Sequence, residues 1–402
     1  MSSAKVFHIN NLFKILGIHD TNELTYVSRK LRISNKELQY YNDKMIFPTG
    51  KVLYSILKYT GYTEFELKVR LGIIDNKIIE WIAENPEFIL KNYKERKEIN
   101  SNLTKPIFET SKGRLYMGDC LDVMRCIPDG HVNMIFADPP FNLNKKYESG
   151  IDDYISEQEY INWTEKWILE CIRILAPGGS MFVYNIPYWN TYTSSILNKY
   201  LNFRHWIAIS MKGLISVRNK LHPEHYSLLY YIKGDKPLVF NKQRIPMATC
   251  RHCGGELRDY GGKKKDLDPT GLSVPDIFTD INPVRHEKYK NRQANELPVK
   301  LLYRIISMAS NEGDIIFDPF GGSGTTYIVA EYLNRMWIGS EIGSVDDIIT
   351  RFNNKSDEEL LKIIEKDSNV LFTEKQIKIR KKNGFWGYEK LTKYKREVCK
   401  EN

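Results

Sequence analysis

The sequence predicts an α/β fold, a doubly wound and mainly parallel sheet with an added helical domain in front of it. Three observations carry this expectation. From Val132 onward, apolar runs of strand length alternate with helical patterns. The run Ile315 to Asp318 breaks into a glycine-rich turn that opens a helix. The first hundred residues, by contrast, show short helical segments and few strand-like runs.

Residues 1–95 are read as a helical domain. Leu12, Phe13, Ile15 and Leu16 start one helix and Leu31 to Tyr41 carries another. Lys51 to Tyr59 and Glu64 to Leu71 follow the turns Pro48-Thr49-Gly50 and Gly61-Tyr62-Thr63. Ser34 followed by Glu37 is a helix-start cap, and Leu31 to Leu38 resembles the turn of a helix-turn-helix module. Packing or dimerisation would use the same capped short helices, so both roles stay open. A Lys- and Asn-rich connector lies near Lys91 to Lys105.

The α/β part divides into 96–211, an inserted stretch 212–292 and a second half 293–352. Val132 to Ala137 is an apolar strand ending at Asp138. A helix capped at Ser156 runs through Trp163, Trp167 and Ile172 and stops at Pro177-Gly178-Gly179, and Ser180 to Tyr184 is the next strand. Pro298 to Ser310 is helical, Asp314 to Asp318 a strand, Ser323 to Leu333 a helix and Met336 to Ile342 a strand. Strand, helix, strand in this order implies right-handed parallel crossovers. Residues 353–402 read as a charged C-terminal extension, a solvated helix and tail or a tail that contacts DNA.

Composition narrows the function classes. With 402 residues and 42% hydrophobic content the chain can bury a sizeable core. Its formal charge of +9 favours polyanionic partners. Six cysteines include only one close pair, Cys250 and Cys253, so no disulfide framework is expected. Cys250-Arg251-His252-Cys253 resembles half of a zinc knuckle, but no second half accompanies it and no metal site is expected. A cytoplasmic protein without a membrane partner is the natural reading.

Two stretches carry chemistry. In Asp318-Pro319-Phe320-Gly321-Gly322-Ser323-Gly324-Thr325, glycines let backbone approach a ligand and a carboxylate closes the strand. Glu341 ends the following strand, at the spacing where an acid in such folds meets ribose hydroxyls. No Lys-Ser or Lys-Thr follows the glycines, which favours a nucleoside lacking a triphosphate. In the second stretch, Asp138-Pro139-Pro140-Phe141, a strand delivers an acid, a rigid backbone and an aromatic ring to its C-terminal tip. The Asp138 carboxylate and Pro139 carbonyl can grip one planar amino group, with Phe141 stacking on the base that carries it.

These motifs resemble those of the beta-class DNA amino-methyltransferases. That family's catalytic motif is Asp, Asn or Ser, then Pro-Pro, then Tyr, Phe or Trp, and its cofactor motif is Phe-x-Gly-x-Gly. Here they read Asp138 to Phe141 and Phe320 to Gly324, in the permuted order of the class. Gly118-Asp119-Cys120-Leu121 and Asn295-Glu296-Leu297-Pro298 agree. The resemblance implies a Rossmann-like, circularly permuted methyltransferase sheet that uses S-adenosylmethionine. Asp138, Asp318, Phe320, Gly322, Ser323, Gly324 and Thr325 would surround the cofactor. Glu341 would hold its ribose, Asp119 and Cys120 its adenine side, and Leu297, Pro298 and Lys300 its methionine end. Asp at the head of the catalytic motif implies N6 of a flipped adenine, with N4 of cytosine as the alternative. Duplex DNA is the implied partner, with a cognate restriction endonuclease and a homodimer as further expectations. Target recognition falls to 212–292, where Lys212, Arg218, Lys220, Arg244, Arg251, Arg258, Lys263-Lys264-Lys265, Arg285, Lys288, Lys290 and Arg292 lie among tyrosines. An RNA or protein amide methyltransferase, and a DNA-binding regulator with an inactive methyltransferase body, are the rival readings.

Overall fold

Helices at the N-terminal end form wherever a polar cap precedes an apolar stripe. In the computed structural model, which describes residues 11–44, 46–73, 76–88, 105–143, 155–210, 218–219, 221–258, 260–282 and 296–401, these are α1 (Asn11–Leu16), α2 (Thr21–Leu31), α3 (Asn35–Asp43), α4 (Gly50–Thr60), α5 (Glu64–Leu71) and α6 (Asn76–Glu84). The Asp20 carboxylate accepts from the N–H groups of Asn22 and Glu23, Ser34 Oγ from that of Glu37, and Thr63 with Glu66 closes a capping box. Phe13, Ile18, Leu38, Ile56 and Leu67 are fully buried in a core belonging to these helices. The single helix expected over Leu31 to Tyr41 is instead broken. Arg32 adopts left-handed φ of 57° and ends α2, and Ser34 restarts the chain as the cap of α3.

The chain divides into two compact units, Met1–Ile99 with Ile155–Asn162, and Asn100–Tyr154 with Trp163–Asn402. In the second, the described residues form a sheet ordered β1-β2-β11-β10-β3-β4-β6-β5-β9. Its strands are β1 (Phe108–Glu109), β2 (Gly113–Met117), β3 (Val132–Ala137), β4 (Leu175–Asn185), β5 (Asn202–Ser210), β6 (His225–Ile232), β9 (Ile277–Phe278), β10 (Ile315–Asp318) and β11 (Met336–Glu341), while β7 (Arg244–Ile245) and β8 (Leu272–Ser273) pair separately. From β2 to β4 the pairing is parallel; β6 is antiparallel to both β4 and β5.

Alternation along β3 places Met134 and Phe136 in one core and Ile135 and Ala137 in another, so helices must cover both faces. These are α7 (Cys120–Arg125), α8 (Glu157–Ile174), α9 (Pro187–Leu197), α10 (Val299–Ala309) and α11 (Thr325–Tyr332). The predicted parallel, doubly wound sheet is what the chain adopts.

Boundaries differ in three places. β4 begins at Leu175 and runs through the Pro177-Gly178-Gly179 stretch, which was expected to be a break. Lys233 explains this, because its ammonium donates to the Ile172 and Leu175 carbonyls and its backbone N–H to Gly179 O, zipping that stretch to the end of β6. β6 itself lies in the main sheet, so the inserted stretch 212–292 is only in part an insertion. The C-terminal extension folds into α12 (Asp346–Asn354), α13 (Glu358–Lys366), α14 (Glu374–Lys382) and α15 (Thr392–Glu401). Its Leu371, Phe372 and Leu391 share a buried cluster with Met247 of the inserted stretch, so a solvated tail does not describe it. The connector at 91–104, together with Lys212, Lys220, Arg285, Lys288, Lys290, Arg292 and Asn295, lies outside the described residues. Among the described residues no helix is long and apolar enough to cross a membrane.

Candidate active site

Strand order assembles the site. Met117 of β2 pairs with Glu341 of β11, Gly339 of β11 with Asp318 of β10, and Phe317 of β10 with Ile135 of β3. All four strands run in parallel, so Asp119, Glu341, Asp318 and Asp138 line one edge of the sheet, on neighbouring strands about 4.8 Å apart. That edge, at the carboxyl ends of the strands, is where open α/β sheets bind ligands. The catalytic and cofactor motifs therefore stand side by side.

The glycine loop is held from three directions. Gly321 N–H donates to Ser340 O at 2.8 Å and Gly322 N–H to Glu341 Oε2 at 2.6 Å, while Gly343 N–H reaches Glu341 Oε1 at 3.0 Å. Gly322 and Gly324 sit at φ of 54° and 77°, a left-handed conformation that side chains with a Cβ resist. Beneath the loop, Tyr327 Oη donates to Asp318 O at 3.0 Å. Behind it, the fully buried Arg351 of α12 donates to Ser323 O and Thr325 Oγ1, both at 2.9 Å, and pairs with Asp357 at 2.6 Å and Glu296 at 3.3 Å. Thr325 Oγ1 also lies 3.4 Å from Leu297 O, just ahead of Pro298, the residue that caps α10.

Asp318 accepts from Phe320 N–H at 2.9 Å and from the Thr326 hydroxyl. Complete burial pushes its carboxyl up to about 7, and the Glu341 charge adds to this, against the two hydrogen bonds. Such an edge of carboxylates, one titrating near neutral pH, suits a ligand bringing positive charge and a ribose diol. If the positive charge of a bound cofactor is met by the ionised Asp318, affinity is expected to fall by up to about tenfold per pH unit below 7. Calorimetric titration across pH 5.5–8 checks this, and Asp318→Asn should flatten the profile.

Asp119 accepts from Leu121 N–H at 2.8 Å and caps α7; burial drives the adjoining Cys120 thiol well above its ordinary value. Phe320 packs its ring on Trp163 and Trp167, with centroids 5.6 and 5.3 Å away. Lys300 is placed differently from the other expected cofactor residues. Its ammonium pairs with Asp280 at 2.7 Å, where Arg304 also binds, and it lines a separate cleft with Arg244, Tyr303 and Asp367.

Beside Asp138, the tip is steadied by Trp189 of α9, whose Nε1 donates to Phe141 O at 2.6 Å. The Phe141 ring meets Tyr226 at 5.7 Å and Tyr184 at 6.2 Å, and those two meet at 5.1 Å. Burial raises the Tyr184 phenol well above its ordinary value, helped by the Asp138 charge. Tyr184, Tyr226, Trp189 and Arg351 are not legible as site residues in the sequence. They reach the site from β4, β6, α9 and α12, and no local motif marks them, whereas Thr326 closes the glycine-rich motif itself.

Comparison with known proteins identifies relatives of this chain. Residues 132–346 match the N6/N4 methyltransferase family, described as DNA methylase. The chain is 47% identical over 385 residues to the Type II methyltransferase M.BamHI of Bacillus amyloliquefaciens, covering 94% of this chain and 91% of that protein. It is 33% identical over 231 residues to the DNA adenine methyltransferase YhdJ of Escherichia coli (strain K12), covering 56% of this chain and 77% of that one. A solved PvuII DNA methyltransferase (cytosine-N4-specific) is 20% identical with a TM-score of 0.47, covering 66% and 96% of the two chains. The chain belongs to the N6/N4 amino-methyltransferase family of DNA methylases.

Proposed function

We propose that this DNA methyltransferase methylates N6 of an adenine flipped out of duplex DNA at a specific site. The parallel pairing of β3 with β10, which makes the strand tips ending in Asp138 and Asp318 neighbours, is the observation that supports it, because methyl transfer needs acceptor and donor pockets in contact. S-adenosylmethionine supplies a methyl group on a sulfonium, and Asp318, Phe320, Gly322, Ser323, Gly324, Thr325, Leu297, Pro298, Glu341, Asp119 and Cys120 are the residues proposed to hold it.

The acceptor side is this chain's own chemistry. A base amino group is a poor nucleophile because its lone pair is delocalised into the ring. The Asp138 carboxylate and the Pro139 carbonyl, each accepting one amine N–H, favour tetrahedral nitrogen and return the lone pair to it. Pro139 and Pro140 keep the two acceptors fixed, and Asp138 receives the proton the amine loses. Phe141, with Tyr184 and Tyr226 behind it, gives the extruded base an aromatic surface to stack on.

The choice of adenine rests on Asp at the head of the motif, and the printed name of the E. coli relative agrees with it. The same two acceptors fit the 4-amino group of cytosine. Nucleoside analysis of duplex DNA treated with the protein and labelled cofactor is expected to yield N6-methyladenine. N4-methylcytosine would replace the adenine assignment while keeping the mechanism, and label in RNA or protein alone would overturn both. The Type II designation of the M.BamHI relative extends the reading to protection of a target from a cognate endonuclease.

A further inference from the structure

We propose that 367–396 is one half of a DNA-docking module whose other half is 244–273, and that Lys375, Lys378, Lys381 and Lys382 bind DNA phosphates. The inference rests on the DNA-methyltransferase reading and adds a surface to it.

Residues 274–366 separate the two stretches in sequence, yet they make one core. Met247, Leu371, Phe372 and Leu391 are buried together, with Tyr260, Leu267, Leu272, Ile377, Trp386 and Tyr388 packed around them. Backbone bonds stitch them: Met247 N–H to Leu371 O at 2.9 Å and Leu371 N–H to Pro269 O at 2.8 Å. Gln376 adds Nε2 to Met247 O at 2.8 Å.

Charge is sorted by this packing. Arg380 turns inward, 2% exposed, bonded to Gly254 O and Trp386 O and stacked on Phe372 at 4.3 Å. Lys375, Lys378, Lys381 and Lys382 of the same helix are all exposed and none makes a salt bridge among the described residues, although Lys378 helps hold the Glu374 carboxyl down and Lys381 that of Glu389. Lys375, Lys378 and Lys382 recur at helical spacing, so they share a face, with Lys381 beside it. From Glu374 to Arg396 the sequence carries nine Lys and Arg against two Glu, most of the +9 of the whole chain. α15 packs against the turn Lys263–Asp266, whose Lys263 and Lys265 are exposed, so the basic surface continues onto the inserted stretch. A solvated tail has no need of a buried arginine anchor. A row of exposed ammonium groups on a folded wall is what a phosphate backbone fits.

The test is duplex binding by the full chain as a function of NaCl, for wild type and for K375Q/K378Q/K381Q/K382Q. Loss of four phosphate contacts predicts a log Kd against log salt slope shallower by roughly 3, and at least about tenfold weaker binding at low salt. S-adenosylmethionine affinity and Tm should stay as in wild type, since all four side chains are exposed. K378Q/K382Q should give about half the slope change, and serves if the quadruple variant misfolds. Wild-type slope and Kd in both variants would overturn the inference alone; a wild-type protein that binds no duplex would overturn the DNA reading as well.

Discussion

Asp138→Ala is expected to lower the methylation rate by roughly 10³-fold while leaving S-adenosylmethionine affinity and duplex binding within about twofold. The carboxylate stands at the tip of β3, one strand away from Asp318, and is the acceptor proposed for one amine proton. The glycine loop is fixed by bonds from Ser340, Glu341 and Arg351. Single-turnover kinetics with labelled cofactor separate the chemical step from binding. A rate close to wild type would remove Asp138 from the mechanism, whichever base is methylated.

Arg351→Ala is expected to cost about 3–5 kcal/mol, because it leaves the Asp357 and Glu296 carboxylates buried without their cation. In a unit of this size that lowers Tm by roughly 10 °C. The same guanidinium fixes Ser323 O and Thr325 Oγ1, so cofactor Kd should rise at least about tenfold. Arg351→Lys keeps the charge but has one nitrogen where four oxygen partners from three segments converge, and should recover stability better than cofactor affinity. Thermal melts and calorimetry on both variants check this. Equal recovery of both would reduce Arg351 to a stabilising residue with no hold on the cofactor loop.

Much of the fold was legible because its signals are local. Ile315 to Asp318, the glycines after it and the helix from Thr325 announce themselves in one dozen residues, and so does Asp138-Pro139-Pro140-Phe141. The cap at Ser34 is equally readable, since a cap is a contact over three residues. Left-handed backbone at Arg32, a non-glycine residue, leaves no mark of its own in the sequence, and only the Ser34 cap points to the break there. Lys300 is expected at the cofactor's methionine end only from the family resemblance. Its ammonium goes to Asp280, a choice set by a partner twenty residues away.

By itself the sequence determined the class of sheet, the permuted order of the motifs and the residues at two strand tips, because periodicity and turn chemistry act between near neighbours. Only the tertiary structure decided which tips are adjacent, that Arg351 clamps the loop, that Tyr184 and Tyr226 back Phe141, and that the basic C-terminal stretch is a folded wall. The reason is distance along the chain. Strand order, buried ion pairs and shared cores join residues many positions apart, and what selects those partners is the burial of apolar surface over the whole molecule, which no short window of sequence contains.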